Sequence, residues 1–169
     1  LGGRSGYEYF EEDKNYLYTM AQFYPRMAAY IDYSGWQNKQ FLGAGEFTLD
    51  FGNYVVNITM PEDHVVAATG ELQNAKSVLT AEQMSRFEKA KKTFDAPVVI
   101  ITQDEATANE KEGTSKEKTW TFKADNVRDF AFASSRKFIW DAMAVQVGNK
   151  TPLAMSFYPK EANPLWGQF

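Results

Sequence analysis

The sequence predicts an all-β chain, an antiparallel β-sandwich with one clear helix near 80–94, and three observations lead there. In the stretch 119–143, TWTFKADNVRDFAFASSRKFIWDAM, every second residue from Trp120 to Trp140 is aromatic at most positions, with polar or small residues between. The stretch 46–60 repeats the pattern: Phe47, Leu49 and Phe51 take one parity, and Tyr54, Val56, Ile58 and Met60 the other. Only one segment carries apolar residues at helical spacing. Aromatics make up 15% of the chain and apolar residues 44%, which excludes a disordered tail and suits a β-rich interior.

At 169 residues the chain is long enough for one domain with a real core and too short for two. Residues 1–160 are assigned to the sandwich, and 161–169 to the start of a linker or next domain.

From the beginning, 7–18 reads as two short strands around a turn at Glu11-Glu12-Asp13-Lys14-Asn15. A strand over 17–23 follows and is stopped by Pro25, which has no N–H for a central ladder. Residues 27–33 suit an extended piece or a short helical turn, and Ser34-Gly35 and 43–45 bracket a loop. The parity of 46–60 changes at Gly52-Asn53, so a bulge keeps both halves on one core or a tight turn folds them into a hairpin. Residues 61–64 read as a turn and 65–72 as a returning strand bent at Gly70. Thr80-Ala81-Glu82-Gln83 has the form of a capping box, followed by Met84, Phe87, Ala90, Lys91 and Phe94 on a helical repeat that Pro97 ends. A buried strand is expected over 97–102, then a long solvated hairpin loop over the charged 103–118. The aromatic stretch is expected to form one or two long strands with a bend near 124–128. Strands over 142–147 and 153–158 flank Gly148-Asn149-Lys150, and Asn163-Pro164 resembles a helix start.

A net charge of −4 argues against nucleic acid as the main partner, because phosphate binding needs a basic patch. Zero cysteines exclude disulfides, thiolate metal sites and cysteine nucleophiles. No apolar run reaches the roughly 18–20 residues that span a bilayer. Residues 1–3 begin nothing that resembles a signal peptide. His64 is the only histidine, which rules out a two-histidine zinc site, and its turn suggests a solvated side chain. The pairs Glu11/Glu12, Glu62/Asp63 and Asp104/Glu105 read as surface carboxylates. Asn57-Ile58-Thr59 and Asn149-Lys150-Thr151 fit the glycosylation triplet. No phosphate loop, dinucleotide fingerprint or EF-hand occurs. The residues themselves point to no catalytic centre.

Three long strings, YTMAQFYPRMAAYIDYSGWQNKQFLGAGEF, TLDFGNYVVNITMPEDHVVAATGEL and TWTFKADNVRDFAFASSRKFIWDAM, together resemble zinc aminopeptidases of the alanyl aminopeptidase (aminopeptidase N) family, in a bacterial branch. The resemblance covers most of 5–169. It implies the saddle-shaped β-sandwich that precedes a thermolysin-like catalytic domain in that family. The family's zinc ligands (H-E-x-x-H and a later glutamate) and its G-x-M-E-N strand are not among these residues. Zinc is therefore expected only in the parent enzyme's catalytic domain, and this piece is expected to be inactive without it. The implied partners are that catalytic domain and a peptide substrate, in a periplasmic or secreted setting. The first strands of the sandwich look absent.

The family also uses a Gln or Glu from this domain to bind the free α-amine of the substrate. In Thr19-Met20-Ala21-Gln22-Phe23-Tyr24-Pro25-Arg26 the matching residue is Gln22, four residues before Arg26. The family spacing is often one residue longer, with a small residue where Pro25 stands. The competing reading is a non-catalytic binding module for glycan or protein, with the loop 36–41, WQNKQF, as its contact patch.

Overall fold

In the computed structural model, which describes residues 4–39, 48–111 and 113–166, antiparallel strands dominate and helices are few. The first sheet has the order β1-β2-β10-β6, built from β1 (Arg4–Phe10), β2 (Asn15–Ala21), β10 (Phe132–Ser135) and β6 (Val65–Ala68). A second sheet, β12-β11-β8, contains β12 (Leu153–Tyr158), β11 (Ile139–Ala144) and β8 (Val98–Ile101). The third, β5-β9-β7, contains β5 (Gly52–Pro61), β9 (Glu117–Val127) and β7 (Glu71–Leu72). A two-stranded hairpin of β3 (Ala29–Ile31) and β4 (Gly35–Gln37) is joined to none of them. Three helices accompany the sheets: α1 (Ala75–Val78), α2 (Ala81–Ala90) and α3 (Gln103–Lys111).

The alternation read from the sequence sets the registers. Along β9, Trp120, Phe122 and Ala124 are buried, while Lys123 and Asp125 face solvent. On β5, Ile58 is buried and Val55, Asn57 and Thr59 are exposed, so the pair β5–β9 offers one apolar face to the core. The phase change at Gly52-Asn53 is a bulge: the register shifts between Gly52 and Tyr54, and Asn53 Oδ1 accepts from the Asn126 N–H at 2.8 Å. Phe47 lies outside the described residues, as does the loop 43–45. Gly70 turns the chain between β6 and β7 at φ +94°, and a Cβ there would lie 2.4 Å from the Lys123 carbonyl oxygen.

The expected helix is α2. Thr80 Oγ1 accepts from the Gln83 N–H at 3.2 Å, and Gln83 Oε1 accepts from the Thr80 N–H at 3.0 Å, closing the capping box. Phe87 and Ala90 then enter the core beside Ile100, Ile101 and Trp140.

Four expectations are corrected. The charged stretch 103–118 is not a long loop, because 103–111 form α3 behind a second capping box. In it the Glu105 N–H donates to Thr102 Oγ1 at 3.2 Å, and Thr102 N–H donates to Glu105 Oε2 at 2.8 Å. The aromatic stretch makes three strands (β9, β10, β11) rather than one or two, and Phe130 is buried between two of them, outside any ladder. The expected loop after Ser34-Gly35 is in part a strand, β4, which pairs with β3 in 27–33, where the extended one of the two expected alternatives is found. No helix begins at Asn163; a short 3₁₀ turn, Lys160–Ala162, ends there.

Candidate functional site

Gln22 follows the last residue of β2 and takes a left-handed backbone, φ 52°, which is unfavourable for a residue with a Cβ. Its Oε1 is buried with no hydrogen-bond partner among the described residues. An amide oxygen has two lone pairs, and one without a donor is held at a desolvation cost.

The loop after Gln22 is tied down by polar contacts. The Tyr24 hydroxyl donates to Asp129 Oδ1 at 2.8 Å and lies 3.1 Å from the Tyr54 hydroxyl. Burial, the Tyr54 bond and the Asp129 carboxylate all push the Tyr24 phenol well above its ordinary range. Arg26 Nη1 sits 3.2 Å from the same Asp129 oxygen, with its guanidinium 5.5 Å from the centre of the Tyr24 ring. Asp129 thus clamps both residues flanking Pro25. Beside this clamp opens a recess of about 310 Å³, lined among others by Tyr24, Arg26, Phe51, Tyr54 and Arg128. The family resemblance singled out Gln22 before Arg26; the sequence carried no sign that Asp129 would join Tyr24 to Arg26 from more than a hundred residues away.

His64 is the clearest departure from expectation. It is buried rather than solvated, and its Nδ1 lies 2.9 Å from Ser134 Oγ, a hydrogen bond whose direction follows the ring tautomer. Burial first, and then the nearby Arg136 charge, push its pKa down to about 4. The reason is topological: β6 and β10 pair in register, with Ser134 opposite Val66, which draws the turn before β6 inward. Ser134 is itself fully buried, so no substrate reaches this pair from solvent.

A second unanticipated cluster surrounds Lys137, which has no solvent exposure. Its ammonium pairs with Asp13, lies 2.9 Å from Glu161 and 3.4 Å from Glu110, and sits 4.6 Å from the centre of the Phe10 ring. Burial alone would lower this lysine's pKa, but the bonds to Asp13 and Glu161 and the Glu110 charge raise it instead. Asp13 shows the counterpart: burial raises its pKa, and the Lys137 bond together with contacts to Asn15 brings it below the ordinary value. Carboxylate oxygens of Asp13, Glu110 and Glu161 lie within 4.8 Å of one another, a spacing that a metal ion could bridge. The lysine already supplies the positive charge there. An all-oxygen set neutralised by an ammonium does not suit zinc, which favours nitrogen and sulfur donors.

The other carboxylate pairs have ordinary roles. Glu105 pairs with Arg86 at 2.6 Å, and Asp63 with Arg136 at 2.8 Å. Asn57 is exposed on β5, with its Oδ1 accepting from Thr121 Oγ1 at 2.8 Å, and Asn149 is exposed in its turn. In the loop proposed as a contact patch, Trp36 stands on β4, 65% exposed, edge-on to Tyr30 at 5.2 Å. Phe41 lies outside the described residues.

An apolar cavity of about 530 Å³ lies where α2 meets β6, β7, β9, β11 and β12. One wall is a run of rings: Phe87 and Trp140 are 5.4 Å apart, and Trp140 stacks on Phe157 at 5.0 Å. No described helix is long and apolar enough to cross a membrane. Comparison with family models, with curated proteins and with solved structures returned no match for this chain.

Proposed function

We propose that this chain is the non-catalytic N-terminal β-sandwich domain of a zinc aminopeptidase of the alanyl aminopeptidase type. In this reading it shapes the substrate cleft and presents Gln22 to the free α-amine of a peptide. The single observation that supports it most is the state of Gln22: a left-handed residue at a strand end, its amide oxygen without a donor among the described residues. An ammonium group has three donors and is the natural complement to such an acceptor. Because Oε1 is buried, binding an amine requires the side chain to turn outward. The Asp129 clamp on Tyr24 and Arg26 supports the reading further, since it fixes the loop next to Gln22. Zinc and the hydrolytic chemistry belong to the catalytic domain of the parent enzyme; the side chains of this piece only orient the substrate amine.

The test is kinetic and uses the whole enzyme. Gln22→Ala should raise KM for peptides with a free α-amine by about tenfold, the worth of a hydrogen bond to a charged group, while zinc content stays the same. An unchanged preference for free over acetylated N-termini would remove Gln22 from the substrate site.

A second reading, a module that binds a protein or glycan, is favoured by the β3–β4 hairpin. Tyr30, Tyr33 and Trp36 are all exposed there, on a two-stranded sheet that joins no other among the described residues. Loss of glycan or protein capture on Trp36→Ala, with Gln22→Ala silent in peptidase assays, would favour this alternative.

A further inference from the structure

The chain leaves β2 at Ala21 and joins β3 at Ala29, and between them residues 23–25 make no backbone hydrogen bond among the described residues. The left-handed turn at Gln22 is therefore not held by any ladder that follows it. A residue with a Cβ keeps such a conformation only where its surroundings leave it no alternative. Here the surroundings are side chains. Phe23, next to Gln22, packs edge-on against Phe132 with ring centres 5.4 Å apart. Tyr24 and Arg26 are both held by one carboxylate oxygen, Asp129 Oδ1. Pro25, between them, fixes its own φ and restricts Tyr24, so the two anchors act on one stiff piece of chain.

Asp129 is itself fixed. The same Oδ1 accepts from the Phe130 N–H at 2.8 Å, and Phe130 is buried in the core. The Tyr24 hydroxyl is steadied from a second side by Tyr54 on β5. The route from the core to Gln22 is thus short: the Phe130 backbone, the Asp129 carboxylate, then Tyr24 and Arg26. Without the carboxylate, residues 24–26 lose the charge and the acceptor that pin them. Gln22 could then return to an ordinary φ, and rotation about φ at a residue swings its own side chain.

We propose that Asp129 is the positioning residue of the amine site: it holds Gln22 left-handed and so sets the point from which the amide oxygen meets the substrate amine. The inference rests on the reading of Gln22 as the amine anchor. Asp129 makes no contact with substrate in this scheme and takes no part in hydrolysis; it acts only through Tyr24 and Arg26.

The test is a double-mutant cycle in the whole enzyme. Asp129→Ala should raise KM for peptides with a free α-amine about tenfold, with kcat within about twofold and zinc content the same. In the Gln22→Ala background the same substitution should change KM by less than about twofold, because the group it positions is gone. Asp129→Asn keeps an acceptor for Tyr24 and for the Phe130 N–H but gives up the charge facing Arg26. Its KM should rise about threefold, and it serves if Asp129→Ala fails to fold. A crystal structure of the Asp129→Ala enzyme should show Gln22 outside the left-handed region. Additive effects of the two substitutions, or Gln22 at its present φ without Asp129, overturn the proposal. If Gln22→Ala is silent, the anchor reading falls and takes this proposal with it. If Gln22→Ala acts and Asp129→Ala does not, only the proposal falls.

Discussion

The ammonium of Lys137 lies 2.9 Å from a carboxylate oxygen of Glu161 with no access to solvent, and Asp13 and Glu110 complete its surroundings. Three segments far apart in sequence thus converge on one side chain. Lys137→Met would leave Asp13 and Glu161 beside Glu110 with Lys160, which pairs with Glu110, as the remaining cation. The expected loss of stability is about 3–5 kcal/mol, measured by urea denaturation. Adding Asp13→Asn to that variant should restore part of it. The sign with pH follows from the two shifts. Lys137 is raised, so its contribution persists through neutral pH and fades only above the ordinary lysine range. Asp13 is lowered, so its contribution is present above pH 3.8 and fades as pH falls below that value.

His64 gives a pH dependence of its own. A histidine that titrates near 6.5 in the unfolded chain and about 4 in the fold binds its proton more readily when unfolded. Stability should therefore fall as pH drops from 6.5 to 4, by about 3 kcal/mol, and the His64 term should level off below. His64→Gln should lack that slope. Because the chain has one histidine, its imidazole proton resonance reports the midpoint directly; a midpoint near 6.5 would contradict the buried site.

Phe130 and Phe132 should separate under truncation. Phe130 is 1% exposed within the core, and Phe130→Ala should cost about 3–5 kcal/mol. Phe132 lines an open groove against β12 and is half-buried, so Phe132→Ala should cost only about 1–2 kcal/mol. Equal losses in denaturant titrations would mean that the groove is closed in solution.

At Gly70 the backbone conformation and the neighbour act together. Gly70→Ala places a methyl group 2.4 Å from the Lys123 carbonyl at φ +94°, which an L-residue rarely adopts. A loss of roughly 2–4 kcal/mol is expected in thermal or chemical unfolding. A neutral outcome would place β7 farther from β9 than the register Glu71↔Lys123 allows.

How much of this was legible follows from which physics each feature obeys. The alternation of Trp120, Phe122 and Ala124, and the Thr80–Gln83 capping box, are local signals, and the chain folds as they read. The helix α3 also had a local signal, Thr102 three residues before Glu105, but its inward face is polar. It buries Ala106 and turns Glu110 toward Lys137, so hydrophobic periodicity could not reveal it. His64 and Lys137 were unreadable for a different reason. Their burial depends on Ser134, Asp13, Glu110 and Glu161, partners brought from up to 124 residues away, and no single-sequence pattern encodes such meetings. Gln22 was singled out through a family resemblance; its strained backbone had no precursor in the sequence.

The fastening at Lys137 also has a mechanical consequence. The turn carrying Asp13 and the 3₁₀ turn carrying Glu161 lie at opposite extremes of the described chain, yet one ammonium grips both. A pulling force applied between those two segments would load these ionic contacts before it could peel β1 from β2. The resistance of the fold to stretching would then be tuned by the charge at one position, not by the length of any strand.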